Sequence, residues 1–230
     1  MNIYIDIETI PTEDVAAMAE IAAGIKPPGN IKKADTIAAW EANEKPAAVN
    51  EAVRKTSFDG TYGRIIVIGY AIDDAEPVAL TGPELSILSQ FASDISSAMR
   101  LNYESQCDRP TGEACVIFIG HNLVGFDLRF LWQRAVINQI ILPAQLLKAC
   151  KAKPWDAIVA DTMMMWNPER ERRISLDRLC KALNVPTSKG NMDGSKVYDT
   201  FKAGNIERIA QYCRDDIAAT RECYKRLIFT

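Results

Sequence analysis

The sequence predicts an α/β domain built on a mixed β-sheet covered by helices, with a helical insertion after the first strand. Three observations carry this expectation. Short apolar runs suited to strands alternate with segments of helical period, and no internal repeat is visible. Roughly fifty residues separate the first strand from the next, where a small sheet would have a hairpin turn. At 230 residues and 48% apolar content the chain is long enough to bury one sizeable core. Residues 1–230 are therefore read as a single domain with an insertion at approximately 11–63.

In the first strand Ile3, Ile5 and Ile7 alternate with Tyr4, Asp6 and Glu8, the period-two pattern of a strand with one buried face. The insertion opens with an alanine-rich helical stretch from Thr12 to Ile25, which Pro27-Pro28-Gly29-Asn30 breaks. Thr36 to Thr56 reads as one or two further helices, anchored by Trp40. Arg64 to Ile72 is the second strand, and Pro83 opens a helix through Met99 with Leu85, Leu88, Phe91 and Ile95 on one stripe. The continuously apolar run from Ala114 to Gly120 suits a central strand that leads into His121-Asn122. A helix follows over Leu128 to Ile137, then a short strand over Ala157 to Ala160, after which Asp161 reads first as a helix cap with Thr162 and, as an acid that follows a strand, second as a residue approaching the site. Met163-Met164-Met165-Trp166 reads as core packing, and Ser175 caps a helix from Leu176 to Leu183. The closing helix runs from about Ile206 and buries Ile209, Cys213, Ile217 and Tyr224.

A net charge of −3 speaks against an unselective polycation that coats nucleic acid, although acidic metal ligands would themselves depress the total. The six cysteines form no CxxC pair and the chain has one histidine, which speaks against a zinc site. They read as reduced thiols in the cytosol, and a cytoplasmic location is expected. The amino terminus shows no basic segment followed by an apolar run, so no secretion signal is expected. Ala135 to Cys150, the most apolar later stretch, is too short and too polar to span a bilayer.

The chemistry lies in four carboxylates: Asp6 and Glu8 on one strand, Asp127 mid-chain and Asp216 near the end. Two carboxylates side by side on an apolar strand repel each other and resist desolvation unless a proton or cation sits between them. A hard divalent metal is the simplest remedy. Tyr212 stands one helical turn before Asp216, so the two side chains share a helix face and a site. Such a set suits two divalent ions about 3.5–4 Å apart acting on a phosphodiester, with magnesium or manganese the expected metals. A tyrosine of ordinary pKa, about 10, is a poor general base at neutral pH.

Asp6-Ile7-Glu8, then Gly120-His121-Asn122 with Phe126-Asp127, then Tyr212-Cys213-Arg214-Asp215-Asp216 together resemble the DEDD superfamily of 3'-5' exonucleases. The branch is DEDDy: Tyr212 precedes Asp216 by four residues, and the single histidine, His121, belongs to the second motif. The chain is most similar to stand-alone phage or bacterial relatives of the proofreading domain of family B DNA polymerases. The resemblance implies a ribonuclease H-like fold and metal-dependent 3'-5' hydrolysis of single-stranded DNA to nucleoside 5'-monophosphates. It implies that Asp6 bridges both ions, that Glu8 and Asp216 complete the nucleophile-side site, that Asp127 holds the second ion, and that Tyr212 orients the water. Thr9, His121, Asn122 and Phe126 follow as substrate-binding positions, with Asn122 on the substrate end, Phe126 stacked on a terminal base and His121 in hydrogen-bonding support.

The rival within the enzyme class is an exoribonuclease of the same superfamily, since carboxylates read phosphate and not sugar. From other classes come a nucleic-acid-binding module that has lost catalysis, against which all four carboxylates and Tyr212 argue, and a scaffold built on the helical insertion. Expected partners are single-stranded nucleic acid, DNA over RNA, and a replication or recombination protein, with no membrane. No polymerase is expected to share this polypeptide. Arg170, Arg172 and Arg173, and the Lys189 to Lys196 loop, read equally as phosphate contacts or as solvated surface.

Overall fold

The computed structural model describes residues 1–105, 116–169, 173–187 and 192–230. The chain divides into two compact units, Met1–Glu8 with Ile65–Thr230, and Thr9–Arg64.

The sheet comprises β1 (Asn2–Ile10), β2 (Arg64–Ile72), β3 (Val78–Thr81), β4 (Ile117–Gly120) and β5 (Val159–Asp161) in the order β3-β2-β1-β4-β5. β4 runs parallel to β1 and to β5, whereas β3 is antiparallel to β2, so the sheet is mixed. β3 is too short and too exposed to have shown a period in the sequence. Of the run expected from Ala114 to Gly120, the first two residues lie outside the described residues.

The expectation of one buried face on β1 is corrected: this central strand is covered on both. Ile3, Ile5 and Ile7 pack in the main core with Ile87, Leu88, Phe91 and Ile95 of α4 (Glu84–Ser105) and with Leu128, Phe130 and Leu131 of α5 (Asp127–Ile137). On the opposite face Tyr4 is 2% exposed and stands edge-on to Tyr224 of α10 (Ile206–Leu227), ring centroids 6.2 Å apart. Gly69 on β2 allows α10 this close approach, because a Cβ there would lie 2.5 Å from Cys213 Sγ and from Ile217 Cδ1. Ile209, Cys213, Ile217 and Tyr224 of α10 are all buried, as the spacing predicts. The far end of α10 is tied to the β2–β3 turn, where Arg221 Nη1 donates to Ala75 O (2.7 Å) and Lys225 Nζ to Asp74 Oδ1 (2.8 Å).

Two packing expectations fail for local reasons. Leu85 is 52% exposed and Ile87 is buried in its place. The inward position of the first turn of α4 belongs to Glu84, whose Oε1 accepts from Ile65 N (2.7 Å) and Arg134 Nε (2.9 Å), so the stripe runs 84, 87/88, 91, 95. Met165 and Trp166 do not join the core, at 40% and 44% exposure. They end a five-residue helix, α7 (Thr162–Trp166), too short to turn a full face inward. Ser175 does cap α8 (Leu176–Leu183), accepting from Arg178 N, and Leu179 and Cys180 of α8 pack against Ala219 and Cys223 of α10. The sequence reading had no counterpart for α6 (Ala144–Cys150) or α9 (Val197–Lys202).

The second unit contains α1 (Val15–Gly24), α2 (Ala34–Asn43) and α3 (Lys45–Lys55), matching the two helical stretches expected there. Asp14 caps α1, its carboxylate accepting from Ala16 N at 2.7 Å. Trp40 is buried, and Thr56 Oγ1 accepts from Thr12 N (2.9 Å) while donating to Val53 O (2.6 Å). Among the described residues no helix is long and apolar enough to cross a membrane. Cys150, Cys180, Cys213 and Cys223 are free thiols, and Cys107 and Cys115 lie outside the described residues.

Candidate active site

The site forms where β1 outruns its neighbour. Pairing of β1 with β4 is in register from Asn2↔Ile117 to Tyr4↔Ile119, and β4 ends at Gly120. A Cβ at Gly120 would lie 2.9 Å from Leu123 and 3.0 Å from Ile5 O, so only glycine lets the chain leave the sheet this tightly. The turn passes through Asn122 at φ 63°, a left-handed conformation that asparagine tolerates. Asp161, at the end of β5 and 1% exposed, holds it there: its carboxylate accepts from Asn122 N (2.9 Å), Val124 N (3.1 Å) and Met163 N (3.1 Å). The capping expected of Asp161 is present, and two amides distant in sequence join it.

This turn delivers Asp127 as the first residue of α5, buried beneath the free stretch of β1, where its Oδ1 accepts from Ile7 N at 3.1 Å. On the same strand Asp6 and Glu8 face α10. Carboxylate oxygens of Asp6, Glu8 and Asp216 all lie within 4.8 Å of one another. Asp6 Oδ2 is sealed from solvent with no hydrogen-bond partner. Tyr212 and Asp216 share a face of α10, as the one-turn spacing predicts, and the Asp216 charge bears on the Tyr212 hydroxyl. Cys213, between them and on the buried face, donates from Sγ to Asp6 O at 3.6 Å and ties α10 to β1.

Electrostatics follow from crowding acids out of water. Burial pushes the Asp6 carboxyl well above the usual carboxylate range, and Asp216 adds to the rise. Glu8 is raised by burial and then by Asp6, Asp216 and Asp127. Asp127 rises by burial and the charge of Asp6, against the pull of the Ile7 amide. Burial, with Asp216 and Glu8 behind it, lifts the Tyr212 hydroxyl above its ordinary value. Three acceptor-only groups facing one another, one with a sealed and unpartnered oxygen, are the donor set of a hard divalent cation. The residues present fit one.

The other expected positions are placed as follows. His121 donates from Nε2 to Ile174 O (2.9 Å), and its Nδ1 is 3.0 Å from the Thr162 hydroxyl. Burial lowers the pKa of this imidazole, which keeps it in the neutral form that can accept at Nδ1. Both ring nitrogens are thus engaged within the protein. Phe126 is half-buried against Phe130, centroids 5.5 Å apart. Thr9 belongs to the second unit, where its hydroxyl donates to Ser57 O at 2.7 Å. Arg173 is exposed, whereas Arg170, Arg172 and Lys189 lie outside the described residues. The sequence singled out Asp161 as an acid directly after a strand, a cap or a residue approaching the site, but not its hold on the amides of Asn122 and Val124.

A family described as predicted 3'-5' exonucleases related to the exonuclease domain of PolB matches residues 112–230, just over half of the chain. The chain belongs to this family. The span that matches this exonuclease family contains Asn122, Asp127, Tyr212 and Asp216, and Asp6 and Glu8 precede it. The fold is similar to that of the family B DNA polymerase from the hyperthermophilic archaeon Pyrobaculum calidifontis, with a TM-score of 0.57 and 14% identity over 99% of this chain. The chain spans 24% of that polymerase's length. Its mixed five-stranded sheet with flanking helices is of the ribonuclease H-like kind. No curated protein matches the sequence.

Proposed function

We propose that this exonuclease-family chain is a metal-dependent, DEDDy-type 3'-5' exonuclease that shortens single-stranded DNA from its 3' end and releases nucleoside 5'-monophosphates. The observation that carries the reading is the cluster of Asp6, Glu8 and Asp216, with Asp6 Oδ2 sealed and unpartnered and Tyr212 one turn before Asp216 on α10. The polymerase likeness supports DNA as the substrate. In this reading residues 1–230 form one exonuclease domain into which the segment from about 11 to 63 is inserted.

Asp6, Glu8 and Asp216 would hold one divalent ion, magnesium or manganese, and Asp127 with Asp6 a second. Such ions, when bound, lower the pKa of a water and offset charge on the phosphate oxygens. The protein's own groups do the positioning. Asp127 is fixed by the Ile7 amide, so the carboxylate on α5 keeps its place relative to those on β1. Tyr212 keeps its proton and orients a water by hydrogen bonding. Asn122 and Phe126 are the proposed contacts to the substrate end, and His121, engaged at both nitrogens, supports the turn that carries Asn122.

The test is gel-resolved digestion of 5'-labelled single strands, as DNA and as matched RNA, with magnesium, manganese or EDTA. A metal-dependent ladder shortening from the 3' end on DNA, and absent in Asp216→Ala, is the expected result. A ladder on RNA alone would transfer the activity to the exoribonuclease reading, and folded protein that cuts neither strand would overturn the stand-alone enzyme.

A further inference from the structure

Two thiols that the carboxylate site does not use meet where α8 packs on α10. Cys180 and Cys223 are 43 positions apart in the chain, both are buried, and their sulfurs lie 3.6 Å from each other. A disulfide needs about 2.05 Å, an approach of about 1.5 Å from here. Neither side chain has to be brought in from elsewhere. Of the other described thiols, Cys213 donates to Asp6 O and Cys150 packs against the main core.

A buried thiol is inert unless its surroundings open. Those of this pair are slight. Cys180 and Cys223 belong to a small core of their own, whose other buried members are Leu179, Val185 and Ala219. The helix that covers it, α8, has eight residues, and the bond from Arg226 Nη1 to Leu183 O (2.6 Å) that ties its end to α10 is exposed to water. A two-turn helix over so small a core opens at lower cost than the strands of the sheet. Hydrogen peroxide, little larger than water, then reaches the sulfurs without unfolding of the whole chain.

We propose that Cys180 and Cys223 form a reversible redox-modification site, at which hydrogen peroxide closes a disulfide that staples α8 to α10. One sulfur of the pair attacks a peroxide oxygen, the O–O bond breaks, and a sulfenic acid forms as one water leaves. The second sulfur attacks the first, the S–O bond breaks, and the hydroxide departs with the second thiol's proton as another water. Two thiols thus lose two protons and two electrons, and one peroxide is reduced to two waters. A small dithiol reopens the bond by exchange, becoming a disulfide itself and returning two protons to the pair. The staple lies on the helix that carries Tyr212 and Asp216, needs no metal and is independent of the exonuclease reading. It closes a loop across 43 positions, so it restricts the unfolded chain and holds α8 down.

The test treats the full chain with hydrogen peroxide in EDTA, alkylates remaining thiols with iodoacetamide under denaturation, and maps the digest by mass spectrometry. Peptides holding Cys180 and Cys223 are expected joined, lighter by two hydrogens than the reduced pair, and separated again by dithiothreitol. The oxidised protein is expected to melt about 5 °C or more above the reduced form, a gain that dithiothreitol reverses. Cys180→Ala and Cys223→Ala, treated alike, each lose both the linked peptides and the gain. Should both variants melt early, the peptide map of the unmodified protein decides. Cys180 and Cys223 both recovered alkylated, both recovered as sulfinic or sulfonic acids, or either joined to a different cysteine overturns the site. A Cys180–Cys223 link that leaves the melting temperature unchanged or lowers it overturns the staple.

Discussion

Two carboxylates on strands of one sheet, Asp161 on β5 and Asp6 on β1, make opposite bargains with the same fold. Asp161, at the end of β5, is 1% exposed and receives three backbone amides. Asp6, mid-way along β1, has an oxygen equally sealed that receives none, and its neighbours Glu8 and Asp216 are acids. Burial alone does not distinguish these two carboxylates; the partners do. Asp127 lies between the extremes, with one oxygen on the Ile7 amide and its charge felt by Glu8.

The comparison breaks most visibly at the unpaired end. Asp216→Ala is expected to reduce the exonuclease rate on the order of 10³-fold or more, as loss of a metal-charge contact worth several kcal/mol requires. Its melting temperature in EDTA should not fall, which scanning calorimetry checks. At the satisfied end, Asp161→Ala leaves three amides without their acceptor and is expected to cost about 3 kcal/mol of stability, read from urea midpoints. A loss below about 1 kcal/mol would mean that water replaces the carboxylate and that the contrast is overdrawn. Tyr212→Phe should lower kcat by about 10- to 100-fold while leaving KM near its value, if the hydroxyl has the proposed role of orienting a water without ionising. A kcat that instead rose with pH through the ordinary tyrosine range only when Tyr212 is present would make it a base.

The smallest effect tests the electrostatics directly. The folded-state pKa values of Asp6, Glu8 and Asp127 are raised, so between the unfolded value near 4 and those raised values the folded state binds more protons than the unfolded one. Stability of the metal-free protein is therefore complete below about pH 4 with respect to these groups and declines as pH rises through their folded pKa values. Melting in EDTA should shift downward as pH rises from about 4 to 7, and Asp6→Asn should flatten that slope and add about 1–2 kcal/mol at neutral pH. Magnesium should do the same for the unmodified protein. A slope that magnesium leaves unchanged would show that the acids are not relieved by a cation.

What could be read in the sequence was what local period determines. The alternation at 3–8 aligned Asp6 with Glu8, and the one-turn spacing of Tyr212 and Asp216 put both on α10 beside the buried stripe. What could not be read depends on contacts between distant segments. Nothing near Asp161 announces that Asn122 and Val124 will turn their amides toward it from 37 to 39 positions away. The exposure of Leu85 follows from Glu84 turning inward to Arg134, 50 positions on. Tyr4 appears polar-facing by alternation until α10 closes over it, which Gly69 permits from another strand.

The hydrogen bond from Ile7 to Asp127 has an evolutionary consequence. A descendant that gave up hydrolysis would be released from its acids at 6, 8 and 216, where charge only burdens the fold, yet would still need an acceptor at 127 for the strand amide. An acid kept at 127 alone would thus be a relic of architecture, and the three drifting together would date the loss of the activity.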